Sequence, residues 1–325
     1  MTQTDKKRVI IIDALNMFLR AYIVDPSLST NGDPIGGIKG SFKILQKLVR
    51  MTKPDSVVIV WDGPNGSRKR RSMDKNYKAG RKPLRLNRSV NNLTDNQITE
   101  NKIWQQSRTI DYINQMPIVQ IMIPEVEADD VIAYVTNMSY YTDWQKVIIS
   151  NDKDFLQLIN KNVIVYRPME KKYYTEEVFK EKYKMSPQNF ILHKTLLGDN
   201  SDKIKGVKGL GEKGLLKKFP ELSERNLTFD DIFEICEKKF KEHVVYARIV
   251  QGVDELEKNY KVMDLSNPML SKDDKNYLDK VVESKELHYH PDEFIAMYNE
   301  DQLGGLIRNV EFWIKDVFAN LVIKK

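Results

Sequence analysis

The sequence predicts an α/β protein with a central, mostly parallel sheet flanked by helices, a helical insertion and a helical C-terminal region. Three observations carry this expectation. Val9–Ile12, Val57–Trp61, Ile118–Ile123 and Val147–Ile149 are short, continuous apolar runs rich in β-branched residues, the pattern of strands buried on both faces. Helical stretches alternate with them, which gives right-handed parallel connections. Each run is followed within a few residues by an acid: Asp13, Asp62, Glu127 and Asp152.

Taken in order, Val9–Ile12 (VIII) ends at Asp13, and a helical stretch leads to the turn-rich Asn31–Gly40 and the amphipathic Phe42–Met51. Val57–Trp61 ends at Asp62, and Gly63-Pro64-Asn65-Gly66 opens a basic segment. The connection from about Arg81 to Met116 is polar and Asn/Gln-rich before it turns helical, and so long a polar excursion is usually functional or disordered. Ile118–Ile123 leads through Pro124 into a helix starting near Glu127. Val147–Ile149 leads to Asp152, and Asp154-Phe-Leu-Gln-Leu reads as the next helix start. Val163–Tyr166 is a fifth strand candidate. Strand signals fade beyond about Thr175, so the expected boundary lies near 182, with an α/β domain over 1–182, an insertion over about 66–116, and a helical part over 183–325.

Composition narrows the classes. The chain has 325 residues, a formal net charge of +6 and a pI near 9.0, which favours a polyanionic partner. The single cysteine, Cys236, excludes an internal disulfide framework, and four scattered histidines argue against zinc. The start lacks a signal-peptide apolar stretch and no run of eighteen apolar residues exists, so a cytoplasmic protein without membrane association is expected.

The carboxylates are the sharpest signal. Singly, an Asp at a strand end is common in turns, and an acid in a first helical turn suits the helix dipole. Jointly, Asp13, Asp62, Glu127/Asp129/Asp130 and Asp152/Asp154 all fall at the carboxyl ends of predicted strands, the edge where open parallel sheets bind ligands. Glu127 and Asp130 are spaced i, i+3, so their oxygens point the same way. Clustered carboxylates must be neutralised or protonate, and the usual neutraliser of oxygen ligands is Mg²⁺ or Mn²⁺.

Two basic segments accompany them. Arg68, Lys69, Arg70 and Arg71 precede Tyr77-Lys78-Ala-Gly-Arg81, with Arg85 and Arg88 beyond. Ordered around a single strand, Tyr77 would stack a base or ribose, while Lys78 and Arg81 would contact the scissile phosphate. In Gly198–Gly214, Gly206, Gly209 and Gly211 would let the backbone approach a phosphate. Lys203, Lys205, Lys208, Lys213, Lys217 and Lys218 would supply charge along a duplex.

Asp13, Asp62-Gly-Pro, Glu127-Ala-Asp-Asp130, Ser150-x-Asp152-x-Asp154-Phe155 and Gly198-Asp199-Asn-Ser-Asp202 together resemble the flap endonuclease/5′-nuclease family, closest in character to standalone bacteriophage 5′→3′ exonucleases. The motifs cover roughly Arg8 to Gly214. The resemblance implies a 5′-nuclease/PIN-like fold, a helical arch over the insertion, and a helix–loop–helix duplex-binding element at about 196–218. It implies two or more divalent ions. Asp13, Asp62, Glu127 and Asp129 would serve the first; Asp130, Asp152 and Asp154 would share the second side, with Asp199 and Asp202 as outer ligands. K⁺ in the glycine-rich turn is a further implication. The implied substrates are DNA with a 5′ flap, nick or 5′ end, and RNA–DNA hybrids, in replication or repair. A monomer is expected, and a replication-protein partner remains open. The alternatives are a non-catalytic DNA-structure-binding relative and an RNA-cleaving metal nuclease.

Overall fold

A computed structural model describes residues 6–80, 93–284 and 288–323. The first part runs β1 (Arg8–Asp13), α1 (Ala14–Val24), α2 (Gly36–Thr52), β2 (Ser56–Trp61), α3 (Arg68–Met73), α4 (Asp95–Asn114), β3 (Val119–Met122), α5 (Ala128–Asn137), β4 (Gln145–Ile149), β5 (Val163–Arg167) and β6 (Lys172–Tyr174). Helices α6 (Glu176–Tyr183) and α7 (Phe190–Leu197) then lead to a small ribbon of β7 (Gly198–Asp199) and β8 (Ile204–Lys205). Beyond it lie α8 (Glu212–Lys218), α9 (Glu221–Glu224), α10 (Phe229–Lys238), α11 (Val244–Gln251) and α12 (Val253–Met263). The described chain ends with α13 (Lys272–Glu283), α14 (Pro291–Glu300) and α15 (Val310–Ile323).

The main sheet has the order β3-β2-β1-β4-β5-β6. All five strands expected from the sequence are present and mutually parallel; β6 pairs antiparallel with β5. Only β6, a short edge strand reading KYY, escapes the apolar-run signal. Strands β1 to β3 run to one side and β4 to β6 to the other, so the crevice outside the carboxyl ends of the neighbours β1 and β4 is the switch point. Asp154–Leu158, expected to begin an α-helix, forms a 3₁₀ turn.

The period-two alternation of each strand feeds two cores. Val9, Ile11, Val58, Val60 and Ile148 face one side, Ile10, Ile12, Ile59 and Ile149 the other. The first core continues without a break past residue 182, through α7 and α10 (with Cys236) to Val282, so no gap in the packing marks the expected boundary there. The second takes α14 and α15: Phe294, Trp313, Ile314 and Phe318 close over Phe42 and Tyr112. Among the described residues no helix is long and apolar enough to cross a membrane.

Helix α2 begins without a side-chain cap of its own. Buried Gln105 of α4 supplies one: its Oε1 accepts from Gly37 N–H at 2.7 Å and Ile38 N–H at 3.3 Å, while Nε2 donates to Pro34 O at 2.7 Å. The end of the insertion is thereby fastened to the helix beside β1. Gln105→Leu keeps the volume but leaves those donors buried and unpaired. It is expected to lower stability by about 1–3 kcal/mol in urea unfolding, with an unchanged m-value.

Candidate active site

The carboxyl ends of β1, β2, β3 and β4 deliver their acids to one edge, where local backbone needs hold them. Asp13 caps α1, accepting from Asn16 N–H at 3.0 Å, and Ser150 Oγ–H donates to its other oxygen at 2.8 Å. Asp62 accepts from Ala128 N–H at 3.0 Å, tying the end of β2 to the first turn of α5. Glu127 is the residue before α5, and Asp152 accepts from Asp154 N–H at 2.9 Å in the turn after β4. The crowding shows in the protonation equilibria. Burial, reinforced by Asp62 and Asp152, pushes the Asp13 carboxyl up to about 7. Burial and the neighbouring Asp152, Asp13 and Glu127 push Asp129 well above the usual carboxylate range, although Lys78 opposes them. Carboxyls held this way favour a proton or a cation, and an all-oxygen donor set suits a hard divalent ion.

A second group stands beside the first. Oxygens of Asp154, Asp199 and Asp202 lie within 4.8 Å of one another, close enough to share a cation. Lys194, almost completely buried on α7, pairs with Asp154 and with Asp199 at 2.7 Å. Burial pushes Asp199 up, but Lys194 and hydrogen bonds from Ser201 outweigh it and hold the carboxyl down at about 2. Lys194 lies outside the motifs, yet it carries a signal: a lysine in the mostly apolar Phe190–Leu197 (FILHKTLL) has to find an acid.

Glu127 and Asp130 do point the same way, but what they meet is Arg70. The residue is 3% exposed, and its guanidinium donates to Glu127 Oε2 at 2.7 Å and to both oxygens of Asp130 at 2.5 and 3.0 Å. Asp130 also accepts from Met269 N–H at 2.9 Å. One expectation is therefore corrected: Arg70, expected with Arg68 and Arg71 to contact DNA, is buried against these acids. Asp130, expected on the second metal's side, is engaged here by Arg70. Tyr77 is corrected too. Its ring is buried in the first core, so it offers no stacking face, and its hydroxyl donates to Glu127 Oε2 at 3.0 Å. Burial and Glu127 raise the Tyr77 phenol far above its ordinary range, so it stays a donor.

Lys78, expected to contact the scissile phosphate, is paired here with Glu127. Its Nζ donates to Glu127 Oε1 at 2.7 Å, and Asp129 and Glu127 more than offset burial in holding its proton. Burial alone would raise Glu127, yet Lys78 and Arg70 bring it below the usual range. Arg81, Arg85 and Arg88 lie outside the described residues. Arg71 is exposed, and Arg71, Lys75 and Lys78 line one basic cavity of about 500 Å³. Arg68 is exposed as well and pairs with Glu125.

In the glycine-rich segment Lys203, Lys205, Lys208, Lys213 and Lys217 are exposed, whereas Lys218 is half-buried over the Tyr246 ring. Gly209 adopts φ +86°, and Gly211 opens α8 with free space where a side chain would stand. A side chain at Gly206 would strike the backbone of Leu197 and Gly198, so packing alone requires glycine there. At the turn expected to hold K⁺, Lys208 O accepts from Arg248 Nη1 at 2.7 Å, so this carbonyl already faces a guanidinium.

An acidic switch-point edge, overlain by a lysine and flanked by exposed basic turns, defines a nuclease of the metal-dependent class. Over residues 8–184 the chain matches the 5′-3′ exonuclease, N-terminal resolvase-like domain, and it belongs to that family. A 5′-3′ exonuclease of Aquifex aeolicus is 30% identical over 66% of this chain and 70% of its own length. Flap endonuclease Xni of Shewanella halifaxensis is 30% identical over 74% of this chain and 90% of its own. DNA polymerase I of Caldicellulosiruptor bescii is 34% identical over 79% of this chain, which spans only 30% of that polymerase. A bacteriophage T5 flap endonuclease, solved as a pseudo-enzyme-product complex with DNA and metal ions, shares the fold with TM-score 0.64. It is 17% identical over 97% of this chain and 100% of its own.

Two tests follow from the ion pairs and the crowded acids. Arg70→Met leaves two carboxylates buried without a counter-charge and is expected to cost about 3–5 kcal/mol, whereas Arg71→Met stays within about 0.5 kcal/mol, both read by denaturant unfolding. Asp13 binds its proton more tightly folded than unfolded, so its contribution is full at low pH and is lost as pH rises from about 4 towards about 7. Without divalent ions, the stability difference between the parent chain and Asp13→Asn should therefore shift against the parent across that window, by up to about 1.4 kcal/mol per pH unit. A difference independent of pH would contradict the raised value.

Proposed function

We propose that this chain is a divalent-metal-dependent 5′-nuclease that hydrolyses phosphodiesters in DNA bearing a 5′ flap, nick or 5′ end and leaves 5′-phosphorylated products. RNA primers paired to DNA fall within the same chemistry. The observation that carries the reading is the convergence of the two acidic groups at the switch-point edge, with Lys78 poised above Glu127 and Asp129. Family membership supports it independently.

Mg²⁺ or Mn²⁺ fits the donors, since every candidate ligand is a carboxylate oxygen. Asp13, Asp62, Glu127 and Asp129 would hold one ion, and Asp152, Asp154, Asp199 and Asp202 a second. The bound ions would supply an acidified water and stabilise the leaving 3′-oxygen. The chain's own residues do the rest. Lys78 presents a fixed positive charge to the phosphate as negative charge develops there. Lys194 keeps Asp199 ionised and draws Asp154 and Asp199 together. The exposed lysines of the glycine-rich turn grip duplex backbone, and Arg68 and Arg71 meet the strand approaching Lys78. Arg81 would assist at the phosphate.

A labelled 5′-flap duplex tests this. Cleavage is expected with Mg²⁺ and none with EDTA; binding without any cutting would instead favour the non-catalytic relative. Lys78→Ala should slow turnover by about 10²–10³-fold while Kd changes only a few-fold, the mark of a contact made mainly in the transition state. Asp129→Asn should abolish turnover yet bind DNA as well or better, because it removes a negative charge facing a polyanion. An equal loss of binding would sink the assignment.

A further inference from the structure

One helix, α12, connects the duplex-binding turn to the carboxylate site, and nothing in the motifs of either accounts for it. Near its middle, Asn259 is 1% exposed, and its Nδ2 donates to Lys205 O at 3.0 Å, within the basic turn. At its C-terminal end the last carbonyls have no partners inside the helix. Val262 O accepts from Arg70 Nε at 2.8 Å, and Met263 O accepts from Gln157 Nε2 at 3.1 Å. Arg70 is the cation that holds Glu127 and Asp130, and its charge suits the negative end of the helix. Gln157 donates also to Asp154 O at 2.9 Å and accepts from Leu265 N–H at 3.0 Å. The segment leaving the helix adds two bonds, Met269 N–H to Asp130 and Lys69 Nζ to Met269 O at 2.8 Å.

α12 and the segment leaving it thus bond to the turn expected to hold duplex, to the base of the basic insertion and, through Arg70 and Gln157, to residues of both acidic groups. Of the side chains in the connection, Asn259, Arg70, Gln157 and Asp130 are buried, so their bonds are little screened by solvent. We propose that α12 is a measuring strut and Asn259 a positioning residue. Together they fix how far from the gripped duplex the scissile phosphate lies, and so choose which phosphodiester is cut. This rests on the nuclease reading above. It predicts a separation that neither a binding residue nor a merely structural one would give. Loosening Asn259 should blur and slow cutting that is registered by duplex, and spare cutting that is not.

The test compares Asn259→Leu and Asn259→Ala with the parent chain in Mg²⁺, on a labelled 5′-flap duplex and on single-stranded DNA of the same sequence. Kd is measured in Ca²⁺, and thermal melts confirm folding. On the flap duplex, kcat should fall about tenfold and the dominant cut should spread by one or more nucleotides, since small misplacements of a reacting centre are costly. Kd for the duplex should stay within about threefold, and the single-strand rate within about twofold, because the phosphate contacts themselves are intact. Equal losses on both substrates would make Asn259 merely structural and overturn the proposal. So would a weakened Kd with unchanged kcat and cut position, or no change at all. Asn259→Ala carries the comparison if the larger side chain prevents folding. Failure of the parent chain to cut either substrate would instead refute the nuclease reading.

Discussion

Mutual repulsion among carboxylates at one sheet edge is the constraint on which the rest of this structure depends. The parallel sheet brings Asp13, Asp62, Glu127 and Asp152 together because β1, β2 and β4 are buried on both faces and end at one edge, where the half-buried edge strand β3 also ends. Such a cluster in a low-dielectric crevice is tolerable only if opposite charge is built in. Three buried or half-buried cations provide it from three parts of the chain: Arg70 from the helix after β2, Lys78 from the basic insertion, and Lys194 from α7. Each binds a different subset of the acids. The pattern explains why Asp199 is held low while Asp13 is pushed high. The first has a lysine on it, and the second has only hydrogen-bond donors and acidic neighbours.

This division of labour separates acids that sound alike in sequence. Asp129 and Asp130 are adjacent, yet one faces the crowded crevice and the other is closed off by a guanidinium and a backbone N–H. Both sit in the first turn of α5, where consecutive residues diverge by about 100° around the axis. A helix start can therefore give one residue to the site and the next to the core. Glu127, before the helix, contacts both worlds, with Arg70 and Tyr77 on one oxygen and Lys78 on the other.

How much of this the sequence made legible follows from what each feature depends on. The five parallel strands and the acids after them depend on local composition, and they stand where the runs of Val and Ile put them. The membership of the two cores was hidden, because α14 and α15 return to the sheet from far along the chain. Arg70 was misread for a related reason. In Ser67-Arg-Lys-Arg-Arg71 nothing distinguishes the one arginine whose helical position turns it inward, towards acids about sixty residues away. Tyr77 and Gln105 show the same limit. An aromatic beside basic residues, or a glutamine in a polar helix, reads as surface until its long-range partner is known.

Lys78 and Glu127 bring the argument to function. Lys78 lies over Tyr77, with its Nζ 4.9 Å from the ring centroid, and spends its charge on Glu127. It can turn towards a phosphate only if Glu127 finds other positive charge, since a carboxylate with little exposure does not give up a counter-ion unaided. Arg70 alone does not suffice, because two oxygens of Asp130 already share it. Neutralising the acidic crevice and releasing Lys78 are therefore one exchange of charge at Glu127. In this structure Lys78 is therefore committed to Glu127, and the role proposed for it above requires that pair to open.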